Sequence, residues 1–141
     1  MTVASQGTRK RKKVSIDVEN VTKISELLTH QSFLKLVMLE LSKINLVSYQ
    51  IATGTFKSMD GRRIVKCGLN GHSDLIAIGK RVFFIEIKIK KDRQSADQKL
   101  FQLMVESRGQ PYYIIRPENI KEVLNEIHAR NNNFNISDKE N

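Results

Sequence analysis

The chain has a single cysteine, Cys67, among its 141 residues. One cysteine excludes an internal disulfide and a multi-cysteine zinc site, and it fits a reducing compartment. Long hydrophobic runs are also missing. The longest apolar stretch, Phe33 to Leu41, is interrupted by Lys35 and Glu40, well short of the roughly 20 apolar residues that span a bilayer. No apolar run follows the basic N-terminus, so a secretory signal is not expected. An intracellular protein is, cytoplasmic or, in a host with a nucleus, nuclear. No internal repeat is visible, and acid is absent before Asp17.

Basic charge is what the chain does have. Lys and Arg number 24 against 15 Asp and Glu, a net charge of +9. Five of the basic residues are consecutive: Arg9, Lys10, Arg11, Lys12 and Lys13. Without residues 1–13 the balance is 19 against 15, or +4, so the body is basic as well. This balance suits a polyanion such as DNA. The tail also reads as a solubilising segment or a nuclear import signal. At ~100–200 residues per domain the chain is one domain. At this size it buries roughly two-thirds of its unfolded surface and needs no disulfide or metal to fold. Residues 1–15 are expected to be a disordered basic tail, 16–130 the folded domain, and 131–141 a second loose tail.

Apolar periodicity outlines an α/β protein. Val18, Val21, Ile24, Leu27 and Leu28, then Phe33, Leu34, Val37, Met38, Leu41 and Ile44, recur at helical spacing and predict one or two helices over 18–44. A short strand is predicted over 47–52 and another over 62–65. Asp74 to Ile78 and Val82 to Lys90 read as a β-hairpin around Gly79-Lys80-Arg81. Ser95 and Gln98 form a capping-box signature. It opens a helix whose expected inner face is Ala96, Leu100, Leu103, Met104 and Ser107, with Gly109 ending it in the left-handed conformation. Tyr112 to Arg116 is a strand, with one tyrosine expected in the core and the other exposed. Pro117 is expected to open a last helix, with Ile120, Val123, Leu124 and Ile127 inward. The expected order is α-β-β-β-α-β-α, a mixed sheet flanked by helices.

The register of the hairpin carries the chemistry. A three-residue turn sets Ile78 opposite Val82, Ile76 opposite Phe84 and Asp74 opposite Glu86, with Lys88 further along the same face. A two-residue turn would send the two carboxylates to opposite faces. Two like charges this close conflict unless a cation lies between them. Mg2+ accepts oxygen ligands and keeps several waters. It can polarise a phosphoryl oxygen and acidify a water, and a lysine beside it can offset developing charge. A Glu-x-Lys in a strand is otherwise an ordinary solvated face. Here the run is apolar enough to be central, where a solvated charge is costly.

Several stretches, in this order and spacing, carry a resemblance: Ile51 to Gly54, Arg63 to Gly68, Gly71-His72-Ser73-Asp74, Ile85-Glu86-Ile87-Lys88, Gln94 to Phe101, and Gly109 before the next strand. Over about residues 30–116 the chain resembles the PD-(D/E)XK nuclease superfamily, and more narrowly a single-domain VRR-NUC protein of the kind common in phages. The resemblance implies a restriction-endonuclease-like α-β-β-β-α-β core with an extra C-terminal helix. It implies a Mg2+-dependent, structure-selective endonuclease acting on branched or flapped DNA, with Mn2+ able to substitute, in a homodimer. Asp74, Glu86 and the Ile87 carbonyl would hold the metal, Lys88 would be the catalytic lysine, and Gln98 would support the lysine or the attacking water. Arg62, Arg63, Lys66 and His72, with Arg9 to Lys13, would contact nucleic acid. The enzyme alternative is a Holliday-junction resolvase of the archaeal type. The non-enzymatic one is a weakened DNA-binding accessory protein on the same fold. One departure bears on this choice: where the family often has Glu near the start of the first helix, this chain has Gln31. His30 and His128 show no metal spacing, and Cys67 is expected to be buried.

Overall fold

The computed structural model describes residues 16–134; the expected basic run Arg9 to Lys13 lies outside them. The fold is mixed α/β, with a mixed central sheet and three α-helices. Its elements are α1 (His30–Lys43), β1 (Val47–Gln50), β2 (Gly54–Lys57), β3 (Ile64–Cys67), β4 (Leu75–Ile78), β5 (Val82–Ile87), α2 (Ala96–Ser107), β6 (Tyr112–Ile115) and α3 (Ile120–Asn132). Among the described residues, no helix is long and apolar enough to cross a membrane.

The central sheet has the order β1-β4-β5-β6. β1 with β4 and β4 with β5 are antiparallel, and β5 with β6 is parallel. The strands of this sheet and the helices together follow the order α-β-β-β-α-β-α read from periodicity. β2 and β3 form a separate two-stranded ribbon inserted between β1 and β4. Sequence reading anticipated a short strand near β3 and missed β2.

Local signals set the helix ends. Thr29 and Ser32 form a reciprocal capping box at the start of α1. Residues before it form turns and a short 3-10 segment, Ser25–Leu27, so the expected helix over 18–44 is confined to its second half. α1 ends in a Schellman motif. Asn45 adopts φ 63°, Leu46 N–H donates to Leu41 O, and Asn45 N–H donates to Ser42 O. α2 repeats the design, with the Ser95–Gln98 capping box at its start and Gly109 at φ 74° after its end. α3 begins three residues after Pro117, because Asn119 Oδ1 accepts from Arg116 N–H at 2.7 Å and forms a turn first. It also runs past the expected boundary at 130. Asn131 is buried, and its Oδ1 accepts from Lys80 N–H at 2.7 Å beneath the β4–β5 turn. A Cβ on Gly79 would strike that same Asn131 side chain and Leu46. The turn therefore needs glycine for space rather than for a left-handed φ.

The two sheet faces bury different clusters. α1 and α3 cover Leu75, Ala77, Phe83, Ile85, Ile87, Tyr113 and Ile115. α2 covers the other face through Phe101 and Val105, which pack with Tyr112, Phe84, Met104 and Ile114. Both tyrosines are buried, since each side of β6 has a helix over it. The expected inner face of α2 is corrected: Leu100 and Leu103 are each 64% exposed. α2 carries two apolar stripes at helical spacing, and the ring cluster of Phe101, Tyr112 and Phe84 decides which one turns inward.

Candidate active site

The β4–β5 ladder pairs Ile76 with Phe84 and Ile78 with Val82, the register of the three-residue turn. Asp74 stands just before β4, and Glu86 lies near the end of β5. The strands have stopped pairing at this point. Ile87 N–H, which would otherwise continue the ladder, donates to Asp74 Oδ2 at 2.8 Å. Asp74 is also fixed through its backbone, its carbonyl accepting from Ile51 N–H at 3.0 Å.

Glu86 is only 1% exposed. Its Oε1 accepts from Gln98 Nε2 at 2.7 Å and lies 3.4 Å from Lys88 Nζ. Its Oε2 is buried without a hydrogen-bond partner among the described residues. Burial, and then the Asp74 carboxylate, push the Glu86 carboxyl up to about 7, while Lys88 pulls in the opposite direction. The Tyr112 phenol is raised as well, by burial first and then by Glu86.

Lys88 is buried, and its Nζ donates to Gln98 Oε1 at 3.0 Å. Gln98 thus joins both charged residues. Its Oε1 also accepts from Ser95 N–H at 2.9 Å. Two donors converging on that oxygen fix the amide's orientation and aim its NH2 at Glu86. Behind Gln98, Gly71 at φ +76° presses against the first turn of α2. A Cβ there would meet Gln98 N at 2.6 Å and collide with the Asp97 carbonyl. The capping box and this close approach hold Gln98 over β5.

His30 is the residue that sequence reasoning missed. Its Nε2 lies 3.4 Å from Asp74 Oδ2. The capping box at Thr29 places His30 on the first turn of α1, but nothing in the sequence says which strand end that turn meets. The neighbouring Gln31 is exposed. The one acid of α1, Glu40, lies more than two turns further on and is tied to Lys43 at 2.7 Å.

The remaining expected residues scatter. Arg62 and Arg63 are exposed on the turn between β2 and β3, where Arg62 N–H donates to Asp60 Oδ1 and Arg63 N–H to Ser58 Oγ. That turn lies four residues out along the ribbon, roughly 13 Å from its base. Lys66, on β3, borders a groove with Asp97, the residue before Gln98. The His72 ring lies 4.4 Å from that of Phe101, and its Nδ1 is 2.8 Å from Ser73 O, so one ring nitrogen is used by the backbone. Cys67 is half-buried rather than buried.

Among the described residues, no three His, Cys, Asp or Glu side chains gather into a metal cage. The donors at hand are the Asp74 and Glu86 carboxylates, with His30 Nε2 3.4 Å from Asp74 Oδ2. The carboxylates are hard oxygens, and few enough to suit a cation that keeps most of its waters. The unpartnered Oε2 of Glu86 fits this role. A buried carboxylate oxygen without a partner is costly, and a cation beside Asp74 removes both that cost and the mutual repulsion. Compared with protein-family models, curated proteins and solved structures, the chain matches none.

Proposed function

We propose that the chain is a Mg2+-dependent DNA endonuclease of the VRR-NUC type, with Mn2+ able to replace Mg2+. The observation that carries this reading is the buried, unpartnered Oε2 of Glu86, on a residue that faces Asp74 and is linked through Gln98 to Lys88. The order α1-β1-β4-β5-α2-β6 supports a restriction-endonuclease-like core. Asp74, Glu86 and the Ile87 carbonyl would hold the metal, which supplies Lewis-acid polarisation of a phosphoryl oxygen and acidification of a water.

The rest is assigned to the chain's own groups. Gln98 holds the Lys88 ammonium in one position, where it can orient a water or offset negative charge as the phosphodiester is attacked. Glu86, with its carboxyl raised to about 7, exchanges a proton near neutral pH when no cation is present. The substrate is branched or flapped DNA and the active form a homodimer; both follow from the resemblance stated above. An accessory protein with weakened activity is the second reading, favoured by the uncharged, exposed Gln31. Incubating the purified chain with fork, flap, four-way and linear duplex DNAs separates the two. Cleavage in Mg2+ or Mn2+ and none in EDTA supports the nuclease. Binding without cleavage in either metal supports the accessory protein.

A further inference from the structure

The ribbon and α2 enclose a groove of about 520 Å3 that borders the candidate active site without including it. This lies within the ~300–1,000 Å3 of pockets that accept a small-molecule-sized unit. Its walls are chemically different. Lys66 of β3 and Leu69 and Asn70 of the β3–β4 connection line it from one segment, and Leu100, Phe101 and Met104 line it from α2. Leu69 and Leu100 are 58% and 64% exposed. The ribbon register pairs Thr55 with Lys66 and Lys57 with Ile64, so Lys57 shares a ribbon face with Lys66, which lines the groove. The groove's one acid, Asp97, sits on the α2 side, directly before Gln98.

We propose that this groove binds an unpaired DNA strand leading into the active site, with phosphates along Lys57 and Lys66 and bases against Leu69, Leu100 and Met104. The proposal rests on the nuclease reading of the neighbouring site and names the part of a branched substrate that the site takes. Three observations select this occupant. The ribbon wall is cationic, which matches a phosphate backbone. The facing wall is apolar and open, which matches the face of a base; duplex bases have no free face to offer, whereas unpaired ones do. Asp97 repels phosphate, so it turns the backbone toward the ribbon. Asp97, which lines the groove, directly precedes Gln98, so a strand lying in the groove runs along the helix turn that holds Lys88.

The experiment measures binding alone, in EDTA, with the full chain. The probes are a fluorescein-labelled dT oligonucleotide of about 12 nucleotides, within the usual range of single-strand sites, and a hairpin duplex of the same charge. Leu100→Asp is compared with Leu103→Asp. Both leucines are 64% exposed on α2, but only Leu100 borders the groove, so the control matches residue type, exposure and added charge. Leu100→Asp should weaken oligo-dT binding about tenfold, since it removes apolar contact with a base and adds negative charge in the path of the phosphates. It should leave the duplex within about twofold, and Leu103→Asp should change neither. Equal losses from both variants, no loss from Leu100→Asp, or equal losses on both probes would overturn the proposal. Because no cleavage is read, a chain that shows the Leu100 effect but never cuts DNA keeps the groove and loses the nuclease reading. A chain that cuts without the Leu100 effect does the reverse.

Discussion

Gln98 donates its amide hydrogen to Glu86 Oε1 at 2.7 Å, from the first turn of a helix onto the second strand of the hairpin. The same side chain closes the capping box with Ser95, so its presence alone does not reveal its function. Gln98→Glu separates the two roles. Glutamate is a good capping-box residue and retains an acceptor for Lys88, but it turns a donor toward Glu86 into a second carboxylate. The metal-free variant should lose stability at pH 8 and recover much of it at pH 5.5, and cleavage should fall. A variant as stable as the parent at both pH values would mean that Gln98 only caps the helix.

Asp74 has two tasks, and the choice of substitution decides which is tested. Asp74→Asn removes the charge but keeps an acceptor for Ile87 N–H. It should abolish Mg2+-dependent cleavage while metal-free stability holds or rises, since the like charge beside Glu86 is gone. Asp74→Ala also leaves the Ile87 N–H unpaired and should be less stable than Asp74→Asn by about 1–3 kcal/mol. Urea midpoints and a cleavage time course measure both effects.

Glu86 makes stability depend on pH with a definite sign. Its carboxyl is raised from 4.5 to about 7, so between these values the folded state holds a proton that the unfolded state has released. Its contribution is therefore fully present below about pH 4.5 and is lost as pH rises through 7, on the order of 3 kcal/mol in all. Urea unfolding without metal should show this fall between pH 5.5 and 8. Glu86→Gln should flatten it. Mg2+ competes with the proton, so its stabilising effect on the parent should be larger at pH 8 than at pH 5.5. Parallel pH profiles for parent and variant would contradict the assignment.

Gly71 and Gly109 are both left-handed, at φ 76° and 74°, but only Gly71 lies against the backbone of α2. Gly71→Ala should cost about 1–3 kcal/mol and also lower cleavage, because the displaced turn carries Gln98. Gly109→Ala has open space around it and should cost about 1 kcal/mol with cleavage intact. Thermal melts and specific activity distinguish the two.

The sequence made the hairpin register legible because one residue more or less in the turn decides which face Asp74 and Glu86 share. The ends of α2 were equally legible, since Ser95, Gln98 and Gly109 act locally. Long-range choices were not. Both stripes of α2 fit a helical period, and only packing against Tyr112 and Phe84 turns Phe101 inward and leaves Leu100 outside. His30 lacked any metal-type spacing and reaches Asp74 only because α1 crosses the sheet at that strand end. Asn131 looked like tail composition, yet its side chain supports the turn at Lys80 from 51 residues away. The ribbon was half seen, because β2 carries too few apolar residues to announce a strand.

Lys88 against Lys90 is the most direct test of metal-dependent hydrolysis at this site. Lys88 is buried and bonded to Gln98, whereas Lys90 is exposed beyond the end of β5 with φ 50°. Both can become methionine with the loss of one charge. Cleavage of a branched DNA by the purified variants in Mg2+ should fall on the order of 10²-fold or more for Lys88→Met, with DNA binding within a few-fold of the parent, and should change little for Lys90→Met. Equal losses from the two would contradict a positioned catalytic lysine and leave only general basicity.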